Sequence, residues 1–208
     1  MAHIGEALLE QELAPKGNTE GRLADMDATI LAYIAGFLDG DGSIFFQLVR
    51  RKDYCLGYQI RSSIAFYQKT ENERILLWLK EQLVAGYIRR RKTGISDYTI
   101  VEPKEVRRIL EWLQPHVLLK QEHVRVGIEI LGEIPLATDA ARFLSLCRLV
   151  DRFQHLNYSK KRSITSTVVE QFLKSHGFLA PVETDPLWRE SSGSLTANTP
   201  TASVASRG

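Results

Sequence analysis

Two carboxylates separated by one glycine, Asp39-Gly40-Asp41, end the apolar run Ile30 to Leu38. Oxygen ligands of this kind suit a hard divalent cation. Gly40 and Gly42 let the backbone turn sharply beside them. The run has a helical period, and Ala32, Ala35, Gly36 and Gly40 recur three and four apart, leaving one face almost bare of side chains. A bare face admits a second helix to backbone contact. Asp-Gly-Asp-Gly alone is ordinarily a solvated turn, and small helical residues alone are ordinarily packing. Their fusion into one unit, Ile34 to Gly42, followed by a strand, is what points to function.

The elements that must position these groups follow from the periods along the chain. Helices are predicted over 29–38, 71–85, 104–113, 121–131, 139–156 and 165–176, with a stop at Gly86 for the second. Strands are predicted over 43–51, 58–67, 87–92 and 95–101. The order α-β-β-α-β-β-α with helices to follow is an α+β fold on a four-stranded antiparallel sheet. Residues 1–26 read as a loosely attached acidic arm, 27–178 as the domain, and 179–208 as a disordered tail rich in Ser, Thr, Ala, Gly and Pro, with Trp188 as a possible anchor.

The two strand faces differ in chemistry. Ile44, Phe46, Leu48, Ile60, Ile64, Phe66, Ile88, Tyr98 and Ile100 share the parity that meets the helices. The opposite parity carries Gln47, Arg51, Gln59, Arg61, Ser63, Arg89, Arg91, Asp97 and Thr99. A solvated face is polar in any case. Arg and Gln, however, carry paired hydrogen-bonding groups that match guanine and adenine edges in the major groove. Charge supports a polyanion partner: residues 43–92 hold eleven bases against four acids, a net of +7, while residues 1–26 carry a net of −3. The Lys160-Lys161-Arg162 loop is a further basic cluster.

The unit Ile34–Gly42 resembles the signature of the LAGLIDADG homing endonucleases. The likeness runs from about Thr29 to His176, through Gln68-Lys69-Thr70, Ile95-Ser96-Asp97-Tyr98 and Leu113-Gln114-Pro115, and it is with the single-motif, homodimeric, group I intron-encoded branch. The resemblance implies a curved sheet lying in the major groove, Tyr54 reaching out from the hairpin loop, and Lys160 and Lys161 gripping phosphates. It implies site-specific double-strand cleavage of a long pseudo-palindromic DNA, dependent on Mg2+ with Mn2+ as substitute, leaving 3′ overhangs. By position Asp41 is the metal ligand, the Gly40 carbonyl a second ligand, Gln68 the group that orients water, and Lys120 the group that polarises water or the scissile phosphate. Lys120 also stands out in the largely apolar run Val117-Leu118-Leu119. One chain holds one motif, so a two-fold pair is expected through residues 29–40, with Tyr33, Ala35, Gly36, Leu38, Asp39 and Gly40 at the interface. The chain departs from the family at Asn72, where a basic residue usually stands; Lys69 and Arg74 are the neighbouring cations.

Composition is that of a soluble globular protein, with no apolar stretch of membrane-spanning length. Two cysteines, Cys55 and Cys147, imply a reduced intracellular setting with buried or inert thiols; the family resemblance leaves the compartment open between a prokaryotic cytoplasm and an organelle, chloroplast or mitochondrion. The five histidines show no zinc-like spacing. The alternative function is a non-cleaving binder on the same scaffold, either a maturase acting on intron RNA or a DNA-binding regulator.

Overall fold

The computed structural model describes residues 27–157 and 163–179. The acidic arm, Lys160, Lys161 and the tail from 180 lie outside the described residues. The elements in order are α1 (Ala28–Asp41), β1 (Gly42–Arg50), β2 (Tyr58–Lys69), α2 (Arg74–Leu83), β3 (Tyr87–Arg90), β4 (Ile95–Ile100), α3 (Pro103–Leu113), α4 (Gln121–Glu133), α5 (Ala140–Gln154) and α6 (Ser166–Ser175). The strands form one antiparallel sheet in the order β1-β2-β4-β3. No described helix is long and apolar enough to cross a membrane.

The helices cover one face of the sheet. Ile44, Phe46, Ile64, Phe66, Tyr98 and Ile100 are fully buried beneath them, as their parity predicts, whereas Ile88 is only half-buried at the sheet edge. Leu31, Ile34, Ala35 and Leu38 recur at three, four and seven residues along α1 and are its core-facing stripe. Burying a leucine or isoleucine there contributes about 1.5–3 kcal/mol each. Asp27 caps the start of α1, its Oδ1 accepting from the Thr29 N–H at 2.7 Å.

Two turns differ from the sequence expectation. The second helix begins later than Glu71, because Thr70–Asn72 form a 3-10 turn instead. It ends at Val84, held in the left-handed region at φ 51°, ahead of Gly86. Gly42 is required by close approach rather than by an unusual turn: its φ is −103°, but a Cβ would meet the Leu38 Cα at 2.7 Å and O at 2.8 Å. The helix thus runs directly into β1, which fixes Asp41 at the junction.

Candidate active site and nucleic-acid interface

The junction of α1 and β1 gathers residues far apart in sequence. Gln68, one residue from the end of β2, donates from Nε2 to Asp41 Oδ2 at 3.0 Å. Gln68 is the only side-chain hydrogen-bond partner of Asp41 among the described residues, and Asp41 is exposed. Asp41 is therefore open to a further ligand. Gly40 is exposed as well.

Asp39 faces the other way and organises a loop. Its carboxylate accepts from the backbone N–H groups of Leu118 at 2.7 Å, Leu119 at 3.0 Å and Lys120 at 2.9 Å, just before α4 begins. Burial pulls the Asp39 pKa upward, but these three bonds and the Lys120 charge outweigh it and hold the group below its ordinary value. The Lys120 ammonium then donates to the Asp39 backbone carbonyl at 2.6 Å. Burial lowers the Lys120 pKa, against the pull of Asp39 and Asp41. Asp41, Gln68 and Lys120, three residues carried over separately by position, thus occupy one corner. Beside it lies a cleft of about 490 Å3 bordered by Ser43, Phe45, Lys120, His123 and Asn157. Asn157 donates to the Ile44 carbonyl at 3.1 Å, which ties the chain leading to Lys160 and Lys161 to β1.

The small-residue face of α1 divides in two. Tyr33, Gly36 and Gly40 are exposed, as an interface requires, and Ala32 lies with them. Ala35 and Leu38 do not: both are fully buried in the core of their own chain, which corrects their placement at the interface. The reason is the helical period, which sets Ala35 one residue, about a quarter turn, away from Gly36. Asp39 is half-buried and its carboxylate is committed to its own chain. A Cβ added at Gly36 or Gly40 meets nothing within 4 Å. Packing within one chain therefore does not demand glycine at either position.

On the open face of the sheet, Gln47 and Arg61 stand in register across β1 and β2, both exposed and without a side-chain partner among the described residues. Gln59 and Ser63 are half-exposed on the same face. Arg51 pairs with Asp53 at 2.8 Å, and its guanidinium lies 5.5 Å from the ring of the exposed Tyr54. Asp97 corrects the expectation of a contacting group, because its side chain is 1% exposed. It accepts from Arg91 Nε at 2.6 Å, from Arg89 at 3.2 Å and from Thr99 at 3.1 Å. Burial pushes its pKa up, yet the arginine and threonine bonds hold it low. Two long arginines roof a short carboxylate, so Asp97 orients Arg89 and Arg91 and is itself shielded from the open face. Of the cations near Asn72, Lys69 sits 3.6 Å from Glu71, while Arg74 has no partner among the described residues. Of the thiols, Cys147 is buried, which pushes its pKa up to about 12, while Cys55 is exposed.

Outward apolar and aromatic residues were missed because only polar types were chosen. Phe45, Val49 and Tyr67 share the parity of Gln47 and Arg61, Tyr87 shares that of Arg89, and parity alone finds them. Among the described residues no group of three or more His, Cys, Asp or Glu could hold a metal ion within one chain.

Comparison with known proteins agrees with this geometry. Residues 34–127 match the family described as LAGLIDADG endonuclease. The chain is 34% identical to the DNA endonuclease I-CvuI of Chlorella vulgaris, over 73% of this chain and 94% of that protein. It is 36% identical to the DNA endonuclease I-CreI of Chlamydomonas reinhardtii, over 70% of this chain and 89% of that protein. The crystal structure of I-CvuI in complex with the I-CreI target, obtained with magnesium and with the DNA not cleaved, superposes at a TM-score of 0.70. The identity there is 33%, over 73% of this chain and 97% of that one. Likeness of this extent, centred on the helix whose end carries Asp41, means that the chain belongs to the LAGLIDADG endonuclease family.

Proposed function

We propose that two copies of this chain pair through the open face of α1 and cut both strands of a long, pseudo-palindromic DNA duplex, leaving 3′ overhangs, as an intron-encoded homing endonuclease. The observation that carries the reading is the convergence of Asp41, Gln68 and Lys120 at the foot of a helix face that is exposed and bare.

At this corner the described residues of a single chain offer one open carboxylate, which suffices for neither two cuts nor a closed metal site. Two-fold pairing about Gly36 and Gly40 sets two Asp41 groups side by side and makes the target symmetric. The donor set fits a hard cation, Mg2+ with Mn2+ as substitute: exposed carboxylate oxygens, with the Gly40 carbonyl beside them. When bound, such an ion supplies activation of water, charge neutralisation at the phosphate and stabilisation of the leaving oxygen. Gln68 orients one Asp41 oxygen and holds an amide where water approaches. Lys120 places a positive charge at the same corner, where burial makes it a stronger electrostatic partner for the phosphate. Gln47, Gln59, Ser63, Arg61, Arg89, Arg91 and Thr99 read base edges, with Arg51 and Tyr54 at the tip of the hairpin. Lys160 and Lys161 contact phosphates, which fixes position without reading sequence.

The test is cleavage of a plasmid library carrying randomised symmetric sites, in magnesium. Wild-type protein is expected to linearise a narrow class of plasmids and to stop on chelation. Asp41→Asn is expected to bind the same sites and cut none, because affinity rests on the sheet and the phosphate contacts. Wild-type cutting by Asp41→Asn, or specific binding by wild type without any cutting, refutes the assignment.

A further inference from the structure

The reading face is not wholly polar. Phe45 lies between Ser43 and Gln47 on β1, opposite Ser63 on β2, and points away from the helices. It is half-buried, belongs neither to the buried core nor to the partly buried apolar residues that pack against it, and makes no ring contact among the described residues. A half-buried apolar residue on an open sheet face needs no explanation in itself, and Val49 lies two residues beyond Gln47 on the same face. Its position supplies one here. It sits one row from the free pair Gln47 and Arg61, on the side toward Asp41, with the cleft of about 490 Å3 beside it.

Resting on the proposal that this face lies in the major groove, we infer that Phe45 reads the C5-methyl group of a thymine in each half-site. The floor of that groove presents donors and acceptors at every base pair and one apolar group, the thymine methyl. A phenyl ring gains nothing from the former and buries the latter. Adjacent outward residues on a strand are about 6.8 Å apart, or roughly two base-pair steps at 3.4 Å each. The thymine therefore lies about two pairs nearer the cut than the pair that Arg61 reads.

The experiment uses the intact homodimer and targets selected for binding in calcium. The selected sites are expected to hold thymine about two pairs cut-ward of the position that Arg61→Ala relaxes. Replacing that thymine by deoxyuridine keeps every hydrogen-bonding group and removes only the methyl. Wild-type affinity is expected to fall about fourfold for each methyl removed. Phe45→Ser is expected to bind the thymine and deoxyuridine duplexes equally. Equal wild-type affinity for the two duplexes overturns the inference whatever the fate of the variant, as does a Phe45→Ser protein that still prefers thymine. Failure of wild type to select any duplex overturns the underlying reading, a result distinct from the first two.

Discussion

Asp39 is the hinge between the motif and the lysine, and Asp39→Ala isolates its contribution. The carboxylate accepts three backbone N–H bonds from Leu118, Leu119 and Lys120. Hydrogen bonds to a charged acceptor contribute about 1.5–3 kcal/mol each when sheltered. Leu118 and Leu119 are exposed, so water replaces part of the loss and about 1 kcal/mol per bond is the better figure. The variant is expected to lose about 3 kcal/mol. For a domain of about 150 residues this lowers the melting temperature by roughly 6–12 °C. Cleavage is expected to fall at least tenfold while affinity stays within a few-fold, because the loop that carries Lys120 loses its hold on α1 although the Asp39 carbonyl remains for the ammonium, and the sheet does not change. The folded pKa of Asp39 is depressed. Its stabilisation is therefore complete above the ordinary carboxylate value and vanishes as pH falls through the folded value. Thermal melts of both proteins from neutral pH downward, with single-turnover cleavage at neutral pH, check each part. A variant that melts with wild type at pH 7, or a gap that does not narrow in acid, refutes the argument.

Gly36→Leu leaves the single chain room for its side chain and improves helix propensity by about 1 kcal/mol. It is expected to give a folded monomer by light scattering, because overpacking between paired helices costs about 1–3 kcal/mol. An active Gly36→Leu dimer places the interface elsewhere. Arg61→Ala is expected to relax base preference at a few symmetry-related positions, by about 1–3 kcal/mol per pair, in a binding screen over single-base variants. A uniform loss across all variants contradicts direct reading. Asp97→Asn leaves Arg89 and Arg91 without their shared anion, so the same screen is expected to show broadened preference at the positions those arginines face, with affinity for unrelated DNA retained.

How much of this was legible in the sequence depends on the kind of information. The strands were readable because the sheet has one buried and one open face, which imposes alternating burial from Ile44 to Leu48 and from Ile60 to Ile64. The end of α2 was not, because a valine in the left-handed region announces nothing and only the later glycine looks like a stop. Side-chain partnerships across long separations were also closed to local reading. Asp39 binds residues 79 to 81 positions away, and no period or propensity encodes that. Parity assigned Asp97 to the right face but could not give its depth, which is set by the length of Arg89 and Arg91 above it.

The small residues of α1 show the same limit and what resolves it. Ala35 is small because the chain's own core leaves it no space, being fully buried. Gly36 and Gly40 are small although their own chain leaves them open space. One composition therefore occupies two different settings, a packed core and an open face. A helix that is apolar around its whole circumference is covered around its whole circumference, yet Ala32, Tyr33 and Gly36 of α1 face solvent in the single chain. Under the proposed pairing the cover is a second α1 related by a two-fold axis, which approaches to backbone contact and brings its own Asp41 to the same end.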